Sequence, residues 1–388
     1  MLSTVKNLFG EFMNVMINQL LQGQAVEWQT LGEILVRTKG TKITAGKMKE
    51  LHKNNAPIKI FAGGKTFALV DFDDIPQKDI NHKPSIIVKS RGIIEFEYYD
   101  KPFSHKNEMW AYHSQNPNIN IKFIYYFLKQ NEPYFQKIGS KMQMPQIATP
   151  DTDKFKIPIP PLSVQSQIVQ ILDTFTELTK QLTTELSMRQ KQYQYYRDFL
   201  LSEHELAKVG FEWKTLGKLG IINRGKRVVK SQLTTEGVYP VYQNSLQPLG
   251  YFDKSNVKAN TTFMITAGAA GEIGYSNCAF WSADDCYYFD CPKDVLDNRF
   301  LYHSLKKQQN KIFSQVRKAS IPRLGRNSVE NIKIPIPPLS VQSQIVAILD
   351  TFDTLTQSIS EGLPKEIQLR QTQYEYYREQ LLNFKATI

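Results

Sequence analysis

The chain has 388 residues, which is room for two or three folded domains. It is 41% hydrophobic and 22% charged, and no apolar run reaches the roughly 18 residues of a membrane span. The first 20 residues include Lys6 and Glu11 and lead to no small-residue cleavage site, so we expect a cytoplasmic protein without a secretory signal. Three cysteines are too few for a disulfide framework.

The net charge of +11 is concentrated in two stretches of the chain. Residues 27–155 carry +5 and residues 212–332 carry +7, whereas the remainder is close to neutral. Two separate basic stretches suit a polyanion that is held at two places.

An internal repeat sets the predicted architecture. Residues 156–179 read KIPIPPLSVQSQIVQILDTFTELT and residues 333–356 read KIPIPPLSVQSQIVAILDTFDTLT, identical at 21 of 24 positions. The match resumes at Arg189 and Arg370, after the second copy has gained four residues. The repeat therefore predicts two variable globular domains, each followed by a nearly constant helical segment.

We predict five segments in an α+β fold: an N-terminal helix (1–25), a first globular domain (26–161), a helical spacer (162–205), a second globular domain (206–338) and a second helical spacer (339–388). In the first domain the residue pattern predicts strands at 85–88 and 92–99 and a helix at 121–130. In the second it predicts strands at 262–266 and 286–289 and a helix at 299–309. The order of the strands does not follow from the pattern.

Apolar residues recur every three or four positions from Ile168 to Leu200, which predicts an amphipathic helix over 164–201, about 57 Å long. Its repeat, 341–382, has the same apolar stripe, so we expect the two helices to pack antiparallel like a coiled coil. The globular domains would then lie at opposite ends, related by an approximate twofold axis. Pro364 should break or kink the second helix, because proline lacks an amide hydrogen.

Catalytic and metal-binding motifs occur only as near misses. Gly40, Gly46 and Lys47 are wrongly spaced for a phosphate-binding loop, and Met48 replaces the required Ser or Thr. The NEPY at 131–134 lacks a proline of the NPPY signature of DNA methyltransferases, and the PDTDK at 150–154 has no matching carboxylate pair in the repeat. No common zinc spacing joins Cys278, Cys286, Cys291 and His303, so we expect small core cysteines and no metal.

Basic and amide side chains cluster at corresponding places in both domains. Lysine and arginine neutralise phosphates, while arginine, glutamine and asparagine can pair with base edges. The candidates for DNA contact in the first domain are Arg37, Lys39, Lys42, Lys65, Lys89, Arg91, Lys141, Gln143 and Gln146. Those in the second domain are Arg224, Lys226, Arg227, Asn244, Arg317, Lys318, Arg323 and Arg326. A solvated surface without a ligand is the alternative for each residue taken singly.

These motifs support a family resemblance. The KIPIPPL run with its following Q-x-x-I-V-x-x-L-D, the stretch SEGLPKEIQLRQTQYEYYREQLL from Ser360 and the tandem layout resemble the specificity subunit of a type I restriction-modification system, one from a mycoplasma. In the second domain, GAAGEIG from Gly268 and FWSADDCYYF from Phe280 are similar to the target recognition domains of that family. The first domain departs from this pattern, with RGII at 91–94.

The resemblance implies that each domain reads one half of a bipartite, asymmetric site in double-stranded DNA, while the helices set the gap. It also implies docking of two methyltransferase subunits, which bind S-adenosylmethionine and methylate adenine, and of two restriction subunits, which use ATP and Mg²⁺ for cleavage. The chain itself would be non-catalytic and bind no cofactor. A multisubunit scaffold that binds no DNA and a single-chain DNA methyltransferase remain alternatives.

The paired tyrosine and arginine positions of the two spacers are the candidates for docking these partners, with packing between the helices as the favoured alternative. They are Tyr193, Tyr195, Tyr196, Arg197, Tyr374, Tyr376, Tyr377 and Arg378.

Overall fold

The computed structural model describes residues 26–140, 144–357 and 361–384, and these divide into two compact units. Unit 1 comprises Met1–Lys180 and Gln368–Ile388, and unit 2 comprises Gln181–Ile367. The helix predicted at 1–25 lies outside the described residues. Within the described residues no helix is long and apolar enough to cross a membrane.

The globular domain of unit 1 mixes short strands and short helices. Its strands are β1 (Glu27–Thr30), β2 (Val36–Arg37), β3 (Ile58–Phe61), β4 (Phe67–Val70), β5 (Ser85–Lys89), β6 (Glu95–Tyr99), β7 (Phe103–His105), β8 (Trp110–His113) and β9 (Lys156–Ile159). Its helices are α1 (Leu31–Ile34), α2 (Ala45–Leu51), α3 (Ile121–Gln130), α4 (Glu132–Gly139) and α5 (Thr149–Asp153), with a 3-10 turn at Gln77–Asp79.

The globular domain of unit 2 also mixes short strands and short helices, and the constant segments of the repeat form long helices. The strands are β10 (Glu212–Thr215), β11 (Ile222–Arg224), β12 (Tyr239–Tyr242), β13 (Gly250–Phe252), β14 (Thr261–Ile265), β15 (Ile273–Ser276), β16 (Trp281–Ser282), β17 (Cys286–Phe289) and β18 (Lys333–Ile336). The helices from the first spacer onward are α6 (Leu162–Leu200), α7 (Glu203–Ala207), α8 (Leu216–Leu219), α9 (Asn298–Lys307), α10 (Gln309–Phe313), α11 (Arg326–Glu330), α12 (Leu339–Gln357) and α13 (Gly362–Leu382), with a 3-10 turn at Lys230–Gln232.

The two domains share one strand topology although their sequences have diverged. In unit 1 the strand orders are β2-β8-β5-β6, β4-β3-β7 and β1-β9, and in unit 2 they are β11-β17-β14-β15, β13-β12-β16 and β10-β18. In each three-stranded sheet the second pairing, β3 with β7 or β12 with β16, is parallel. The duplication inferred from the constant segments therefore extends through the variable domains.

The main hydrophobic core of each unit joins its domain to helical segments from both copies of the repeat. In unit 1, Phe123 of α3 belongs to a buried cluster that includes Leu172 of α6 and Leu381 of α13. In unit 2, Phe300 of α9 lies in a cluster with Tyr193 and Leu349. Each domain is thus fixed by the beginning of its own spacer and the end of the other.

The predicted helices agree closely with the structure. The helix predicted at 121–130 is confirmed as α3, and the one predicted at 164–201 is confirmed as the 39-residue α6. One strand prediction was wrong at its start, since β6 begins at Glu95 and not at residue 92. Gly92 has φ of +74°, a conformation that favours glycine, and the chain bends there before the strand begins.

The helical segment of the second spacer is interrupted, as expected from the presence of Pro364. The helix α12 ends at Gln357 and α13 begins at Gly362, which has φ of +77°. A Cβ on Gly362 would lie 2.5 Å from the Thr354 carbonyl oxygen, so only glycine fits there. Pro364 lies in the first turn of α13, where the missing amide hydrogen costs no helical hydrogen bond.

Candidate nucleic-acid interface

Unit 1 presents a loop that two backbone hydrogen bonds fix to the end of a central strand. We call residues 144–147, MPQI, proline loop 1. The Gly92 amide donates to the Pro145 carbonyl at 2.9 Å, and the Ile147 amide donates to the Ser90 carbonyl at 3.0 Å. The Ile147 side chain is buried. The loop is therefore anchored on both sides of Gln146.

Unit 2 has the same loop with the same anchors. We call residues 321–324, IPRL, proline loop 2. The Gly268 amide donates to the Pro322 carbonyl at 3.1 Å, the Leu324 amide donates to the Thr266 carbonyl at 2.8 Å, and the Leu324 side chain is buried. Gly268 has φ of +82°, so the anchoring glycine has the left-handed conformation in both units.

The residue after each proline is exposed and polar, and it differs between the units. Gln146 occupies this position in loop 1, and its Oε1 accepts a hydrogen bond from Arg91 Nε at 3.0 Å. Arg323 occupies it in loop 2 and forms a backbone bridge with Arg317. Asn244 lies beside this site, since its carbonyl accepts from the amide next to Gly268 at 2.9 Å. The same frame thus presents two different side chains that can pair with bases.

Most of the predicted cations are exposed, and within the described part of the chain they form no ion pair. These are Lys39, Lys42, Lys65, Arg91, Arg224, Lys226, Arg227, Arg317, Lys318 and Arg323. Cations without a carboxylate partner are available to phosphates at no cost of breaking an ion pair. Lys141 and Gln143 lie outside the described residues.

Lys89 is differently placed from the other predicted cations. Its ammonium group lies 2.6 Å from Glu95 and 2.8 Å from Glu97, and only a tenth of its side chain is exposed. Burial would raise the pKa of Glu97, but hydrogen bonds from Lys89 and Lys59 outweigh burial and lower that pKa. The side chain of Lys89 is therefore occupied inside the domain and is poorly placed to reach DNA.

Two further predicted cations have carboxylate neighbours at the surface. Arg37 lies 3.8 Å from Asp153, and Arg326 lies 2.7 Å from Glu330 one turn away on α11. Surface pairs of this kind contribute about 0 to 1 kcal/mol, so either arginine can exchange its partner for a phosphate at small cost.

Two open clefts in the first domain are lined in part by lysines that the sequence analysis did not select as candidates. One, of about 730 Å³, places Lys78 beside Arg37 and Lys39. The other, of about 970 Å³, is mostly apolar and has Lys49 and Lys106 on its walls. Of these lysines, Lys106 forms an ion pair with Glu108 at 2.6 Å.

Two of the eight tyrosine and arginine positions form equivalent aromatic stacks between helices. Tyr377 of α13 stacks on Phe175 of α6 at 5.5 Å with an interplanar angle of 25°. Tyr196 of α6 stacks on Phe352 of α12 at 5.3 Å and 23°. The two phenylalanines are equivalent in the repeat, and so are the two tyrosines, so each stack joins the tyrosine of one copy to the phenylalanine of the other. Packing between helices is therefore sufficient to explain why a tyrosine occurs at these two positions.

Four more of the eight positions also face neighbouring groups. The buried Tyr193 hydroxyl lies 3.1 Å from His303 Nδ1, and the Arg197 guanidinium lies over the Tyr193 ring at 5.7 Å. At the equivalent place Arg378 lies over the ring of the partly buried Tyr374 at 5.4 Å.

The last two positions face outward. Tyr195 is 64% exposed and Tyr376 is 48% exposed, and they are equivalent in the repeat. Docking of partners on the eight residues stays a prediction, and the exposed side chains that can test it are Tyr195, Tyr376 and the outer side of Tyr196.

A buried glutamine joins each domain to its spacer helix. Gln165 Nε2 donates to the Asn118 and Pro160 carbonyls at 3.1 and 2.8 Å, and its Oε1 accepts from the Asn120 amide at 2.9 Å. Gln342 makes the corresponding three bonds in unit 2. Both side chains are fully buried, so they fix the angle at which each domain leaves its helix. Sequence reasoning missed this role, although both lie in the identical LSVQSQIV run.

The cysteines do not converge on one site. Cys286 and Cys291 lie in different hydrophobic clusters, and burial raises the pKa of each thiol to about 12. Cys278 is exposed. Among the described residues no three His, Cys, Asp or Glu side chains are grouped as metal ligands.

Comparison with known proteins gives a family match over both copies of the repeat. The model of the type I restriction modification DNA specificity domain matches residues 25–188 and 208–369. The chain is 32% identical over 398 residues to the EcoR124I/EcoR124II type I restriction enzyme specificity subunit of Escherichia coli, covering 95% of this chain and 96% of that one.

Two further relatives match the chain, and one solved structure has the same fold. A putative type I restriction enzyme specificity subunit of Haemophilus influenzae is 31% identical, with 95% and 98% of the two chains covered. A putative type I specificity subunit of Mycoplasma pneumoniae is 32% identical over 58% of this chain and 91% of its own length. The crystal structure of the type I S subunit from M. genitalium superposes with a TM-score of 0.71 at 19% identity, covering 94% of this chain and 98% of that one.

Proposed function

Because the chain belongs to the family of type I restriction-modification DNA specificity domains, we propose that it is the sequence-reading, non-catalytic subunit of such a system. The domains at 26–161 and 206–338 would each read one half of a bipartite site in double-stranded DNA, and the spacers at 162–205 and 339–388 would set the gap. The observation that carries this proposal is the pair of proline loops. They have the same anchored backbone but carry Gln146 in one unit and Arg323 in the other.

The difference between the two loops supports an asymmetric site. Glutamine pairs with the N6 and N7 edge of adenine, and arginine pairs with the O6 and N7 edge of guanine. With the same frame and different reading groups, the two domains would select different half-sequences. The unpaired cations around each loop would hold the phosphates and position the loop in the groove.

We infer that the partners dock on the spacer helices. Two methyltransferase subunits would use the outward-facing Tyr195 and Tyr376, which are related by the repeat as two identical partners require. S-adenosylmethionine would then belong to those subunits, and ATP and Mg²⁺ to two restriction subunits that join the assembly. The complex would act on DNA in the cytoplasm.

The test is to express the chain with its methyltransferase subunit and map methylated adenines in host DNA. We expect one bipartite sequence, methylated only when both chains are present. Gln146→Ala should relax one half-sequence and Arg323→Ala the other, each with a loss of about 1 to 3 kcal/mol for the cognate site.

Lys65→Ala, a change of an exposed cation, serves as the control and should weaken binding equally for all sequences. Methyl transfer by the chain alone would favour the single-chain methyltransferase. Formation of a complex whose DNA binding is insensitive to salt and to sequence would favour the scaffold.

A further inference from the structure

Each proline loop exposes a large apolar side chain. Met144 is 63% exposed and Ile321 is 55% exposed. Both residues immediately precede the anchored proline, at equivalent positions of the repeat. A single exposed apolar residue is ordinary at a protein surface. Its recurrence at the same place in two diverged domains calls for a common role.

Neither side chain contributes to a hydrophobic core, so stability does not explain its apolar character. The buried contacts of the loops are made by Ile147 and Leu324, three residues further along. Because a residue before proline favours an extended backbone, and the proline carbonyl is tied to a glycine amide, each loop presents Met144 or Ile321 in a restricted conformation. Such a side chain is preorganised for contact with a ligand.

The surroundings of the two side chains identify the ligand as DNA. Met144 lies on the wall of the larger cleft of the first domain together with Arg91 and Lys106. Ile321 lies two residues from Arg323, which bridges to Arg317. Lys106 is held by Glu108 at 2.6 Å, so, among the described residues, the cations without an ion pair beside the two apolar groups are Arg91 and Arg323. An apolar group set beside such a cation and a base-pairing side chain fits the major groove of DNA, where the C5-methyl of thymine is the apolar group on the base edges.

We propose that Met144 and Ile321 each contact the C5-methyl of a thymine, so that each proline loop reads two features of its half-site: a methyl group through the residue before the proline and a base edge through the residue after it. This inference rests on the proposed function and assigns to each loop a reading residue that the cationic pattern does not reveal.

The experiment compares thymine with deoxyuridine, which differs only by the absence of that methyl. The full chain, in complex with its methyltransferase subunit, is titrated with duplexes in which the thymines of one half-site at a time are replaced by deoxyuridine. Removing one buried methyl should weaken binding of the unchanged protein about fourfold in either half-site. Met144→Ser should abolish this discrimination in one half-site only, and Ile321→Ser in the other only.

Matched controls separate the contact from a general effect. Met144→Leu and Ile321→Val keep an apolar side chain and should keep the discrimination. Val209→Ser changes a residue of similar exposure, 48%, outside the loops and should leave affinity unchanged.

Equal affinity of the unchanged protein for thymine and deoxyuridine duplexes would overturn the inference, as would serine variants that still discriminate. Suppose that the serine variants no longer bend the bound DNA but still distinguish thymine from deoxyuridine. The apolar side chains would then act as wedges between bases, and the inference would be overturned as well. If the unchanged complex does not prefer its mapped site over a scrambled duplex, the proposed function itself fails.

Discussion

At the scale of single residues, one buried contact between a domain and its spacer helix has a tyrosine in unit 1 and a histidine in unit 2. The hydroxyl of Tyr126 donates to Asp173 in unit 1, and the equivalent residue of unit 2, His303, lies 2.7 Å from Asp350 through Nε2. Burial lowers the pKa of His303 and outweighs the opposing effect of Asp350. Burial alone would raise the pKa of Asp350, but the hydrogen bonds from His303 and Arg299 lower it.

Both shifts predict that unit 2 loses stability in acid. A histidine whose pKa is lower in the folded state binds fewer protons than the unfolded chain, so stability falls as pH drops through about 6.5. The lowered pKa of Asp350 acts in the same direction at lower pH. We expect His303→Gln to reduce the fall in thermal midpoint of the full chain between about pH 7.5 and pH 5.5.

Tyr126→Phe is the control for this prediction, because it removes the equivalent hydrogen bond without removing a group that titrates near neutrality. Its effect on the midpoint should be the same at both pH values. The other titratable and charged groups around His303 are Tyr193, Tyr302, Arg299 and Asp353. If the thermal midpoint of His303→Gln falls with pH as steeply as that of the unchanged chain, His303 is not the group responsible.

At the scale of secondary-structure elements, the helices of the spacers separate an inner from an outer face. Tyr196 and Tyr377 pack inward on phenylalanines, whereas the adjacent Tyr195 and Tyr376 face outward. Consecutive residues on a helix point about 100° away from each other. In each pair of consecutive tyrosines, one side chain can therefore pack against a neighbouring helix while the other faces outward. The outer tyrosines are therefore the places to test docking.

We expect Tyr195→Ala and Tyr376→Ala each to remove one methyltransferase subunit from the complex, because large aromatic side chains dominate interface energies. The mass of the complex, measured by light scattering, should fall by one subunit in each variant and by two in the double variant. Neither change should lower the thermal midpoint of the chain. Tyr196→Ala, in contrast, should destabilise the fold. An intact complex in the double variant would contradict the docking assignment.

The helices could be predicted from the sequence because their stripes of apolar residues are local. The sheets could not, since β3 pairs in parallel with β7, whose sequence lies about 40 residues away, and nothing local encodes that pairing. Lys89 was misjudged for a different reason, because its ion pair depends on strand register and not on distance along the chain. Its carboxylate partner Glu95 lies opposite it in the β5–β6 ladder, a register that became visible only in the structure. Gln146 and Arg323, in contrast, could be singled out as candidates from the sequence because the repeat places them in equivalent positions.

At the scale of the whole molecule, the chain passes between the two units twice. One passage lies within α6, after Lys180, and the other within α13, after Ile367. We therefore expect a change in the length of one connection alone to be opposed by the other. If the spacers set the gap between half-sites, both connections must be lengthened together.

We predict that four helix-forming residues inserted after both Leu182 and Ile367 will lengthen the unspecified gap. Four residues add about 6 Å and about 400° of rotation, close to one full turn. With DNA rising about 3.4 Å per base pair, the gap should grow by one or two base pairs while both half-sequences are retained. Methylation mapping measures this directly.

Two residues inserted at both places rotate the joined segments by about 200° and should abolish binding. The insertion after Leu182 alone should lower the thermal midpoint. An unchanged gap in the double four-residue variant would show that the spacers do not determine the spacing.

The double passage also has a consequence for how the protein is made. Unit 2 is one continuous segment and can complete its fold as soon as Ile367 has left the ribosome. Unit 1 must wait for the end of α13, because Tyr377, Leu381 and Leu382 belong to the same buried cluster as Phe175. At ordinary rates of translation that delay after Lys180 lasts about 10 to 40 s. Throughout it we expect the first domain to expose the apolar face that α13 later covers, which would make the nascent chain a target for chaperones until α13 is made.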